Sequence, residues 1–374
     1  MQHGVKRTNL TEEAKKAKLE RDRAKIVAYR SSTTKLLDQY HKDVYTLETL
    51  DLTTDVLALN PELYTAWNYR REILLKLIPH TLTKKDALEQ DLKLVMHHLK
   101  RFPKCYWVWN HRSWCLHQLS LTGEANWAYE LAIVSRLLEM DSRNYHGWHY
   151  RRYVVSNMER ESAAAAASPE SERKSLLDLA ITEYEYTTSK INKNISNFSA
   201  WHNRSKLIPQ LYLLYTQVVA SNSAGGLSAT PTSIDSIFRS PYDILMHELE
   251  LVKTGMYMDA EDTSVWSYLQ WLVSDPLFVD SARSATDHHA STYVQILEGQ
   301  LKTITELNEL EKDDHPDGHD NVWCLKSIIF LKGLLLKENG GVDEASEREI
   351  RSMLETLVEI DPLRRGRYLD QIKA

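Results

Sequence analysis

Five tryptophans constrain this chain more than any other feature. Trp67, Trp109, Trp148, Trp201 and Trp266 recur at intervals of 42, 39, 53 and 65 residues, each within one version of a common pattern. Self-similarity at such a period marks a repeat array, in which each unit packs on its neighbours, so a length of 374 residues does not count domains. Seven residues before the tryptophans stand Asn60, Phe102, Asp141, Asn194 and Asp259, four of them good N-cap types. Pro61 and Pro103 follow the first two, where proline suits the first helical position. A helix start is therefore expected there in each unit. Tyr64, Tyr106, Tyr145 and Phe198 lie three residues before a tryptophan; Leu74, Leu116, Val155, Ile208 and Val273 lie seven after. These spacings predict one buried stripe carrying both sets. Amphipathic segments upstream, such as Leu92, Val95, Met96 and Leu99, make each unit a pair of helices.

Arg70, Arg112, Arg151 and Arg204 stand three residues after the first four tryptophans, where a guanidinium can bond carbonyls or carboxylates of a neighbouring unit. They are expected to be structural. Trp323 suggests a sixth, degenerate unit, and Asp361-Pro362 with Tyr368 a truncated seventh, giving six to seven helix pairs. Residues 1–30 hold a charged leader helix, with Thr11 as its cap, ahead of a single solenoid over 31–374. Two low-complexity runs, near 161–175 and 221–233, are expected to be mobile surface loops.

With 12 glycines among 374 residues, helices are favoured over a fold rich in tight turns. A net charge of -6, with lysine and arginine interspersed among acids, gives no field for nucleic acid. Cys105, Cys115 and Cys324 form no CxxC pair, as suits a reducing compartment, and no apolar run is long enough to span a bilayer. A cytoplasmic protein is expected.

The strings Pro61-Glu-Leu-Tyr-Thr-Ala-Trp67-Asn-Tyr-Arg-Arg71, Pro103-Lys-Cys-Tyr-Trp-Val-Trp109-Asn-His-Arg112 and Asn144-Tyr-His-Gly-Trp148-His-Tyr-Arg-Arg152 resemble the repeats of protein prenyltransferase α subunits. The opening Met-Gln-His-Gly-Val-Lys-Arg and the helix after it are similar to the type II, Rab-directed geranylgeranyltransferase branch, in a compact form without immunoglobulin-like or leucine-rich modules. The resemblance implies an all-α fold, a right-handed α-α superhelix gripping a β subunit that supplies the zinc and the lipid pocket. The implied reaction moves geranylgeranyl from geranylgeranyl diphosphate to C-terminal cysteines of Rab GTPases presented by a Rab escort protein. One rival is the α subunit shared by farnesyltransferase and type I geranylgeranyltransferase, and another is a tetratricopeptide-like scaffold without activity.

Such a reaction needs an activated thiolate and a cation on the leaving diphosphate. The histidine pairs His97-His98 and His288-His289 have no metal-site context and are expected at the surface, so no metal set is assigned to this chain. Lys104, just after Pro103, opposes the expected helix dipole, and a broken local rule can mark function. The resemblance points to Lys104 as a diphosphate contact, with Tyr106 and His146 beside it. His146 also stands out because other units carry Thr65, Trp107, Ser199 and Ser264 at its position.

Overall fold

The computed structural model describes residues 11–225, 233–284, 292–341 and 343–373, and these contain helices and no strand. The Met-Gln-His opening, His288-His289 and much of the 221–233 run lie outside the described residues.

The chain divides into two compact units, one ending at Met158 and the other starting at Glu159. The first holds α1 (Glu12–His41), α2 (Leu47–Leu59), α3 (Tyr64–Leu77), α4 (Lys84–Arg101), α5 (Tyr106–Ser120), α6 (Trp127–Met140) and most of α7 (Tyr145–Ala165). In the second, α8 (Pro169–Lys193) packs on α9 (Phe198–Gly225) and α11 (Pro241–Met258) on α12 (Thr263–Leu272), with the short α10 (Ser233–Ile237) between these pairs. α13 (Pro276–Arg283), α14 (Tyr293–Asp314), α15 (Val322–Glu338), α16 (Glu344–Ile360), a single 3-10 turn (Pro362–Arg364) and α17 (Arg365–Lys373) follow. Links of a few residues make successive helices into hairpins.

α1 runs unbroken through residue 30, so no boundary separates a leader from the array. Thr11 caps it by accepting from the Ala14 N–H at 3.3 Å. The alanine-rich run near 161–175 is helical on both sides of residues 166–168, because Ser168 and Pro169 start α8 with a capping box.

All five repeat tryptophans are buried, and each indole N–H donates to the carbonyl six residues earlier. The acceptors are Pro61, Pro103, Ser142, Ile195 and Ala260, at 2.7 to 2.9 Å. Each ring thereby fixes the turn before its own helix.

That turn corrects the expected helix starts. Asn60, Phe102, Asp141, Asn194 and Asp259 are C-caps of the preceding helices. Asn60, Asn194 and Asp259 make Asx-turns, each side-chain oxygen accepting from the N–H two residues on at 3.0 to 3.1 Å. Pro61 and Pro103 sit inside the turn, and the second helix starts three residues later than expected. Asn144, Asn197 and Asp262, four before a tryptophan, hold the first N–H groups of those helices.

The expected stripe also splits. Leu74, Leu116, Ile208 and Val273 are buried and Val155 is half-buried, but Tyr64, Tyr106, Tyr145 and Phe198 are exposed. A residue three before the tryptophan lies about 60° round the helix, in a first turn with no turn of its own helix before it, whereas one seven after lies only about 20° away. In the sixth pair, Asn321 caps α15, which puts Leu325 rather than Trp323 at the repeat position; Leu325 packs with Leu354, Leu357 and Tyr368. Tyr368 takes the tryptophan's place in the last pair, its hydroxyl donating to Asp361 at 2.6 Å.

Candidate functional site

The repeat arginines are buried and tied into the packing. Arg112 presents a fork to Glu130, with Nε and Nη2 at 2.8 and 2.6 Å, while Nη1 donates to the Leu92 carbonyl. The Tyr150 hydroxyl of the next unit donates to the same carboxylate at 2.7 Å. Arg204 forks onto Glu248 in the same manner, with Tyr184 and Tyr268 donating to that carboxylate. Arg70 grips Asp91, and its Nη1 reaches Thr53 and Thr54. Arg151 donates to Ser135 at 2.7 Å. In the three forks one carboxylate on the first helix of a pair joins an arginine of the previous pair to an aromatic residue of its own pair.

Asp91, His111 and Cys115 form the one group of possible metal donors among the described residues, all buried. It does not suit a cation. Arg70 occupies Asp91, and Arg71 donates to His111 Nδ1 at 3.2 Å, so His111 Nε2 carries the proton it gives to Asp91 at 2.8 Å. Burial holds His111 down at about 4 and pushes the Cys115 thiol well above its usual range. His98, expected at the surface, is buried against Trp67, and neither ring nitrogen has a hydrogen-bond partner; burial lowers it to about 4. His97 beside it is exposed.

Lys104, Tyr106 and His146 are brought together at an exposed corner of the first unit. Lys104 lies in the turn between α4 and α5, two residues before the helix, and not inside its first turn as expected. The Tyr106 and His146 rings meet edge to face at 6.0 Å. His146, half-buried, faces the Lys104 backbone; burial and His149 lower its pKa, against the pull of Glu62 and of that backbone contact. The corner continues through Trp107, which meets Tyr106 at 5.4 Å and Tyr64 at 5.3 Å. Tyr145 adds a further exposed ring, stacked on His149.

This corner is open to solvent and carries both signs of charge, Lys104 beside Asp141 and Glu62. The Lys104 side chain is 43% exposed, and among the described residues its one ion-pair partner is Asp141, with Nζ to Oδ2 at 3.9 Å. The N-cap of α5, Cys105, is buried, its thiol set against the Trp107 and Val108 N–H groups of that helix and donating to the Pro61 carbonyl at 3.4 Å. An exposed lysine just before a helix start suits a phosphate group. A groove of about 310 Å³ adjoins them, lined by Leu99, Pro103, Trp109, Leu138, Asp141 and Asn144 among others. Gly147 keeps this packing close, since a Cβ there would meet Leu138 at 2.9 Å. Asp141 was missed as a site residue because its sequence signal is that of a helix cap.

A profile of the family described as "Protein prenyltransferase alpha subunit repeat" matches residues 47–77, 88–119, 127–158, 181–211 and 245–275, one tryptophan hairpin each. The chain is similar to "Geranylgeranyl transferase type-2 subunit alpha" of Candida albicans, 46% identical over 100% of this chain and 98% of that one. The protein of the same name from Saccharomyces cerevisiae is 34% identical over 98% of both chains. The Homo sapiens protein of that name is 35% identical over 73% of this chain and 42% of its own length. Among solved structures, "Candida albicans protein geranylgeranyltransferase-I complexed with GGPP" has a chain that matches with TM-score 0.58 and 19% identity, covering 93% of this chain and 90% of that one, which establishes a shared fold.

Proposed function

The chain belongs to the family of type-2 geranylgeranyl transferase α subunits, and from that premise we propose that it pairs with a prenyltransferase β subunit to modify C-terminal cysteines of Rab GTPases presented by an escort protein. Geranylgeranyl diphosphate is the donor, and the corner at Lys104 meets its diphosphate. Zinc, held by the β subunit, would hold the Rab cysteine as its thiolate. No described helix is long and apolar enough to cross a membrane, and the three cysteines are free and buried, which supports a cytoplasmic setting.

The convergence of Lys104, Tyr106 and His146 at the start of α5 carries the assignment to this corner. Negative charge builds on the diphosphate as the allylic C–O bond breaks. A positioned ammonium stabilises that state more than the ground state, so it raises the rate rather than only the affinity. Tyr106 and His146 form the wall that fixes where the lysine stands.

Lys104→Ala in the heterodimer is expected to slow single-turnover prenyl transfer on the order of 10²-fold. Assembly and zinc content should not change, and Lys104→Arg should restore part of the rate. Wild-type single-turnover rates in Lys104→Ala would remove the diphosphate from this corner.

A further inference from the structure

We propose that Asp141 is a positioning residue that sets how tightly Lys104 holds a diphosphate; this rests on the assignment of Lys104 above. Asp141 occupies the turn position that Asn60, Asn194 and Asp259 hold in other units, with similar backbone angles. Those three spend a side-chain oxygen on their own turn, accepting from Glu62, Ser196 and Glu261. Asp141 does not. Its backbone makes the same turn, with N–H to the Leu137 carbonyl and C=O to the Asn144 N–H, yet its carboxylate turns across to Lys104 of the preceding hairpin. Among the described residues this ion pair is its one side-chain partner.

Two elements therefore control the lysine. The His146 ring faces its backbone, fixing where the side chain begins, and Asp141 draws the ammonium from the other end. At 3.9 Å and with both side chains part exposed, the pair is weak. It takes none of the ammonium's N–H donors, but its negative charge opposes a diphosphate arriving at the same ammonium and favours the departure of pyrophosphate. Asp141 thus weakens the grip of Lys104 on substrate and product alike.

The neutral isostere provides the test, because asparagine is what the array itself places at positions 60 and 194. In the heterodimer, Asp141→Asn is expected to tighten competitive inhibition by pyrophosphate about two- to fivefold, the range that loss of an exposed ion pair supports. KM for geranylgeranyl diphosphate should fall alongside. In a Lys104→Ala background the same change should move pyrophosphate inhibition less than about twofold. Asp141→Ser, which can also cap the turn, should behave like Asp141→Asn and serves if the first variant folds poorly. Unchanged inhibition in Asp141→Asn, while Lys104→Ala weakens it, would overturn the inference and leave the role of Lys104 standing. An effect that persists without Lys104 would overturn it too, since the carboxylate would then act by its own charge. If Lys104→Ala itself leaves pyrophosphate inhibition unchanged, the assignment of the corner fails first.

Discussion

Two cation–carboxylate pairs in the first unit use the same chemistry to opposite ends. Arg112 and Glu130 are both 2% exposed, joined by two short hydrogen bonds, with Tyr150 and the Leu92 carbonyl taking up further bonding capacity. Lys104 and Asp141, in the turns of the same two hairpins, lie 3.9 Å apart and are 43% and 34% exposed. The guanidinium is committed to packing through three hydrogen bonds, whereas among the described residues the ammonium makes none. In this array, charges aimed inward stitch hairpins together, and charges at the turn edge remain available to partners.

The comparison breaks if the two cations respond alike to removal. Arg112→Ala strands Glu130 in the interior, so a loss of about 3 to 5 kcal/mol is expected in chemical denaturation. A loss under about 1 kcal/mol would mean that water reaches Glu130 and that the stitching is weak.

Acid should attack the same interior. His98 and His111 are both held near 4, below the ordinary 6.5, His98 by burial with His97, Arg101 and Arg70 nearby, and His111 by burial outweighing Asp91. Between those values the unfolded chain binds more protons than the folded one, so stability is full above about 6.5 and falls as pH drops toward 4. Each histidine contributes about 2 kcal/mol of loss between pH 7 and pH 5. His98→Phe should make the decline shallower, and an unchanged slope in that variant would show that His98 is solvated when the chain is folded.

A smaller loss tests the shared carboxylate. Tyr150→Phe leaves Glu130 with its arginine and removes one donor, so about 1 kcal/mol is expected. No loss would mean that the arginine alone satisfies the carboxylate.

How much of this was legible depends on what each signal could distinguish. The tryptophans gave the hairpins because a large buried ring at a fixed register leaves one helical solution. The helix starts came out three residues early because Asn, Asp and Pro favour N-caps and Asx-turns alike, and sequence does not separate the two. The partners of Arg70, Arg112 and Arg204 lie 21, 18 and 44 residues away, a scatter set by loop lengths, so no fixed spacing announces them. Lys104 was visible as a cation just after a proline, where a helix start was expected. Asp141 was not, because only geometry separates a carboxylate that closes its own turn from one that crosses to the next hairpin.

The least costly change should be at the aromatic column that was expected inside. Tyr106 is 57% exposed, while Trp109, one turn further along α5, is 5% exposed and bonded to Pro103. Trp109→Ala removes a buried ring together with the bond that fixes its turn, a loss of about 3 to 5 kcal/mol. Tyr106→Ala removes a ring that leans on Trp107 and His146 at the surface and replaces it with a strong helix former, so the change in stability should stay within about 0.5 kcal/mol. Denaturation of both variants decides between a double stripe and a single one. A loss above about 2 kcal/mol at Tyr106 would make the ring a structural member of the array. The wall beside Lys104 would then owe its position to the core rather than to function.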